Sequence, residues 1–110
     1  MVYIAALNDL AIAVQFIGNG QILVHNCEYL HPAKFGEDYA RLFLRLVASD
    51  DIWDWQNTLK RFPASFRQDI VRWSAVLICQ KALLRYNMRD TKENSAVIPV
   101  QARLLRELCR

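Results

Sequence analysis

His25, Asn26 and Cys27 put an imidazole, a carboxamide and a thiol on consecutive residues. That combination can break a peptide bond without an external enzyme. The stretch leading into it, Phe16-Ile17-Gly18-Asn19-Gly20-Gln21-Ile22-Leu23-Val24, is a tight Gly-Asn-Gly turn followed by a short apolar run. No other segment carries comparable chemical specificity. His25, Cys27 and His31 could converge on a metal, but their spacing fits no standard zinc pattern, and no metal is expected. His31 with Glu28, Glu37 or Asp38 would make an acid–base set of the nuclease kind. It reads better as a loop histidine beside a solvated helix face. Asp50, Asp51 and Asp54 are explained by a helix start, where negative charge meets the favourable end of the dipole. Cys27, Cys79 and Cys109 are odd in number and lack CxxC spacing, so neither a zinc site nor a disulfide framework is expected. Cys79 lies in an apolar run and reads as a small core residue. No cofactor is expected.

A second set of residues is basic. Lys60, Arg61, Arg67, Arg72, Lys81, Arg85 and Arg89 lie on or beside two middle helices, and Arg103, Arg106 and Arg110 form a further group. With Trp53, Trp55 and Trp73 nearby, the pattern has the ingredients of aromatic–basic nucleic-acid binding. Trp55 and Trp73 fall on apolar stripes and are expected in the core. Trp53 falls off the stripe and is the better exposed contact. The candidate binding residues are therefore Lys60, Arg61, Arg67, Arg72, Lys81, Arg85 and Trp53. A net charge of +3 is too small by itself to argue for nucleic acid.

The elements that must position these groups are mostly helical. The chain has 110 residues, 54% of them hydrophobic, which suits one small core. Residues 2–17 fit two patterns. Ile4, Leu7, Ala11, Val14 and Ile17 make a helical stripe that Gly18 would end. Alternatively, strands at 11–17 and 21–26 flank the Gly-Asn-Gly turn, and the β-rich Ile22-Leu23-Val24 run favours this hairpin. From Pro32 a helix is expected, with Phe35, Tyr39, Leu42, Phe43, Leu46 and Val47 inward and Glu37 four residues before Arg41. Ser49 or Asp50 would cap a second helix with Ile52, Trp55, Leu59 and Phe62 inward, ended by Pro63. Ser65 would cap the longest helix, 65–87, with Phe66, Ile70, Trp73, Leu77 and Leu84 on one face. Residues 88–95 read as a polar surface loop. Pro99 would open a last helix with Leu104, Leu105 and Leu108 inward. The fold expected is mainly α: a small orthogonal helical bundle around the central helix at about 65–87, with an N-terminal β-hairpin (or helical hairpin) at about 3–26. The two segments, 1–26 and 27–110, are expected to form one compact unit. The apolar N-terminal stretch is too short and interrupted to span a membrane, and no signal peptide is expected.

Phe16 to Cys27 resembles the last conserved block of inteins and related Hint domains, above all the pretoxin Hint modules of bacterial polymorphic toxins. Phe16, Gly18, Asn19, Ile22, Leu23, Val24, His25 and Asn26 match that block, and Cys27 matches the first residue after the cleavage point. The resemblance covers about a tenth of the chain. It implies that the Asn26 carboxamide attacks its own backbone carbonyl, closing a succinimide and freeing the chain from Cys27. It also implies that His25 polarises that carbonyl or protonates the departing amine. In splicing Cys27 would be the acceptor nucleophile. The upstream nucleophile and Thr-x-x-His block are absent from these residues, so splicing by this chain alone is not expected.

Two functions follow as expectations. One is a C-terminal helical effector of a polymorphic toxin-like protein, released at Asn26–Cys27, which would act in the cytoplasm after delivery as part of a larger secreted protein. The alternative is a non-catalytic helical interaction module that uses its basic face. It would be a subunit of an assembly or an inhibitor of the phage type. A protein partner is expected in both cases, as an immunity protein or an assembly subunit. Nucleic acid is a further candidate partner, and a membrane is not.

Overall fold

Ile12, Val14 and Phe16, and then Ile22 and Val24, are buried, while the residues between them are half-buried or exposed. Burial at every second residue marks a sheet with one covered face. The computed structural model describes residues 3–7, 11–18, 20–30, 36–49, 54–85 and 95–109. Its strands are β1 (Tyr3–Leu7), β2 (Ile12–Gly18), β3 (Gln21–His25) and β4 (Ser95–Pro99). They form one antiparallel sheet in the order β1-β2-β3-β4. The β2–β3 connection bends through Gly18 and Gly20 at φ 96° and 72°, a region that costs glycine nothing.

The expected helical bundle is thereby corrected to an α+β fold. β4 is the main reason. Ala96 and Ile98 are buried on the same face as Val24 and Ile22, which they oppose across the ladder. Pro99 closes this strand instead of opening a helix, and the Val100 N–H bonds to the Gly20 carbonyl at 2.9 Å. β1 is a further strand beyond the hairpin.

The helices are α1 (Glu37–Ser49), α2 (Trp55–Leu59), α3 (Arg67–Arg85) and α4 (Ala102–Leu108). α1 carries the Glu37–Arg41 ion pair at 2.7 Å, as its spacing requires. Its inward residues are Ala40, Phe43 and Val47. Tyr39 and Leu42, expected inward, are 41% and 45% exposed, so the stripe is turned towards Ala40. Tyr39 instead lies beside the rings of Phe62 and Phe66, with centroids 6.0 and 5.4 Å away. α3 begins after a 3-10 turn at Ala64–Phe66. It buries Ile70, Trp73, Ser74, Ala75, Val76, Cys79, Ala82 and Leu83, residues from all around its circumference. It packs against α1, α4 and β4, which makes it the central helix. Leu84, expected on its inward face, is 60% exposed. Leu104, Leu105 and Leu108 of α4 are buried, and Arg106 of α4 lies over the Phe16 ring, 5.0 Å from its centroid. Among the described residues no helix is long and apolar enough to cross a membrane.

The sheet's other face is not covered in the same way. Strand register lines up Ile4, Gln15, Leu23 and Val97 in one cross-strand row, and Ala13, His25 and Ser95 in the next. None of these seven positions is buried, and Ile4 and Val97 are 61% and 51% exposed. Neither row holds a lysine, arginine, aspartate or glutamate at these positions.

Candidate functional site

His25 is the last residue of β3 and shares the open face with Gln15 and Ser95. Its Nδ1 lies 3.2 Å from Ser95 Oγ, and its Nε2 lies 3.1 Å from Gln15 Oε1. An amide oxygen only accepts, so in the neutral ring this arrangement puts the proton on Nε2 and leaves Nδ1 to accept from the serine hydroxyl. His25 thus sits in a hydrogen-bonded line across three strands. Its two bonds lead to the sheet and not to the Asn26–Cys27 peptide.

Asn26 turns the chain out of the sheet. Its backbone is left-handed, φ 60° and ψ 44°, a conformation asparagine tolerates better than most residues. Its Nδ2 donates to the Ala11 carbonyl at 3.0 Å, tying the end of β3 to the residue just before β2. Its own carbonyl accepts from the Tyr29 N–H at 3.0 Å, within a 3-10 turn at Cys27–Tyr29. The carboxamide is engaged elsewhere, and the carbonyl is polarised by a backbone donor.

Cys27 is buried. Cys79, far from Cys27 and Cys109 in sequence, lies close enough to each to interact with it electrostatically. No disulfide joins the three. Burial, with the Cys109 and Cys27 thiols as smaller contributors, pushes the Cys79 thiol up to about 12. Burial alone pushes Cys109 up to about 11. Thiols held neutral in this way are poor nucleophiles. Among the described residues no group of three or more histidine, cysteine, aspartate or glutamate side chains is placed to hold a metal ion. His31, Asp50 and Asp51 lie outside the described residues, as does Trp53.

The basic candidates divide between the two ends of α3. Lys60 and Arg61 are exposed in the turn after α2. Arg67 bonds back onto that turn, Nε to the Phe62 carbonyl at 3.1 Å and Nη2 to the Lys60 carbonyl at 3.0 Å. It therefore serves as a brace for the α2–α3 corner. Arg72 is half-buried, and Lys81 and Arg85 are exposed in the last turns of α3. At 1.5 Å per residue, the fourteen steps from Arg67 to Lys81 span about 21 Å along the axis. Trp55 is half-buried and Trp73 buried.

Gln15 and Ser95 escape sequence reasoning. Gln15 is a polar residue between the apolar Val14 and Phe16, an alternation that marks an outward position. Ser95 gives no such signal, because its place opposite His25 exists only once β4 and its register exist. Compared with protein-family models, with curated proteins and with solved structures, the chain finds no match.

Proposed function

We propose that this chain is a protein-binding module that docks through the open face of its sheet. One observation carries this reading: the row Ile4, Gln15, Leu23, Val97 crosses all four strands with exposed apolar ends and without formal charge. Single exposed apolar side chains are ordinary on protein surfaces, whereas an uncharged row with exposed apolar ends spanning a sheet is a kind of surface that partners cover. The chemistry of the face also selects the partner. Phosphate backbones and anionic headgroups are held by lysine and arginine, which these two rows lack. The partner is therefore a protein that offers an uncharged, apolar strip, as an assembly subunit or an inhibitor would. A pull-down of the full chain followed by mass spectrometry supplies the partner. Val97→Glu should then weaken binding about tenfold or more, a loss of about 1.4 kcal/mol, and wild-type affinity should change little between low and high salt. A folded Val97→Glu chain that binds normally would sink the idea. A steep salt dependence would move the contact to the basic groups around Lys60 and Lys81.

A second reading keeps Asn26–Cys27 as the release point of a toxin-like effector. The Tyr29 N–H on the Asn26 carbonyl supports it, since such a donor stabilises negative charge developing on the oxygen under attack. The test is intact mass after expression behind a complete Hint module. A species beginning at Cys27 should appear and should vanish in Asn26→Gly, which removes the carboxamide and keeps the left-handed backbone accessible. The reading is lost if both chains behave alike.

A further inference from the structure

A nucleophile, its base and an orienting acceptor stand in line on the open face. Ser95 lies directly opposite His25 on β4, and Gln15 lies on β2, diagonal to it. The distances are 3.2 Å from Ser95 Oγ to His25 Nδ1 and 3.1 Å from His25 Nε2 to Gln15 Oε1. With Gln15 Oε1 accepting from Nε2–H, a neutral His25 ring turns its Nδ1 lone pair towards the serine hydroxyl. This is the relation by which a weak oxygen nucleophile is activated. Three neighbouring strands supply one residue each, so the relative positions are set by the ladder and not by a loop. The geometry points to an acyl-transfer site in which Ser95 is the nucleophile, His25 the general base and Gln15 the positioning residue, with small uncharged carboxylic esters as the substrate class.

The substrate class follows from the surroundings. Val97, two residues beyond Ser95 on the same face of β4, is 51% exposed, and Leu23 opposite it is half-buried. An apolar acyl group can lie over these two side chains, roughly 7 Å from Ser95 along the strand, with its carbonyl at Ser95 Oγ. No lysine, arginine, aspartate or glutamate of the two rows is there to pair with a charged substrate.

Ser95 Oγ bonds to the ester carbonyl carbon as its proton passes to His25 Nδ1, and the carbonyl oxygen takes the electron pair. When the carbonyl re-forms, the carbon–alkoxy bond breaks. The alkoxide leaves with the proton from Nδ1 as an alcohol, and the acyl group stays on Ser95. Water then attacks the acyl carbon as His25 Nδ1 takes one of its protons, and when the carbonyl re-forms the bond to Ser95 Oγ breaks, Oγ takes that proton back from Nδ1, and the carboxylic acid departs with the other. Gln15 holds the ring in place through both halves. The site goes beyond partner binding, and a partner seated on Leu23 and Val97 would cover it. The experiment therefore uses the chain alone.

The full chain is treated with a fluorophosphonate, and the intact mass and peptide map are recorded. Turnover of p-nitrophenyl butyrate is followed in parallel. One label is expected, on Ser95, and it should be lost in Ser95→Ala together with turnover. His25→Ala should slow labelling by about 10²- to 10⁴-fold, the ordinary contribution of a positioned base. Gln15→Ala should slow it, and Gln15→Glu, which restores an acceptor, should recover it. The proposal is overturned if wild-type protein takes no label, if the label maps to another residue, or if a folded His25→Ala chain labels at the wild-type rate. The wild-type map decides the matter even if a variant fails to fold.

Discussion

Asn26 shows how a residue chosen for its chemistry can also be required by its backbone. At φ 60° most side chains clash with the following carbonyl, and asparagine is among the few that tolerate the conformation. Its carboxamide then bonds to Ala11, itself left-handed at φ 54°. Both facts explain an asparagine here without any reaction. Asn26→Gly should therefore cost little, since it trades one exposed hydrogen bond for relief of strain. Asn26→Ala should cost about 1–2 kcal/mol more, the usual penalty for an L side chain held left-handed. Urea unfolding of the two variants measures the difference, and equal midpoints would mean that the backbone at this position relaxes. The neighbouring bend at Gly18 and Gly20 was legible in the sequence because turn chemistry is local. The partners of His25 were not, since they depend on ladder register between residues as much as 70 positions apart.

Among the elements, β4 was hidden and α3 was plain. Ser95–Pro99 is five residues long, too short to display a period, and it follows a run of polar and charged residues. Pro99 misleads as well: a missing N–H suits the first turn of a helix, and it suits the end of an edge strand equally. α3 was readable because nineteen residues with a dense apolar middle can only be a central helix. The phase of α1 was harder to read, because Ala40 counts as apolar only weakly while Tyr39 and Leu42 count strongly. α3 also carries a defect that no pattern reveals. Ser74 Oγ is fully buried and has no hydrogen-bond partner among the described residues. Ser74→Ala removes that unmet polar group with almost no change of shape. It should raise stability by about 1 kcal/mol, the low end of what an unsatisfied buried group costs. A melting temperature at or below wild type would show that the hydroxyl has a partner in solution.

At the scale of the whole molecule, thiols from three distant segments share one core, and their burial links stability to alkaline pH. An ordinary thiol titrates near 9.0, whereas Cys109 holds its proton to about 11 and Cys79 to about 12. Below pH 9 both folded and unfolded chains keep these protons, and nothing is lost. Between pH 9 and about 12 the unfolded chain gives them up while the folded chain still binds them, so stability falls as pH rises. Melting curves across that window should fall more shallowly for Cys79→Ala than for wild type. Comparing slopes cancels the constant cost of the cavity, and identical slopes would mean the thiols are not linked to unfolding. The joining of distant segments also bears on how the chain is made. β3 is complete once His25 has been added, yet its outer partner begins at Ser95. Throughout synthesis of the intervening segment, one edge of β3 has no ladder to close on. Unpaired edges invite pairing with other chains, and long-range closures form slowly. A polypeptide stopped anywhere before β4 would carry that edge into the crowd around the ribosome, and would need a chaperone or a binding partner to keep it from other nascent chains.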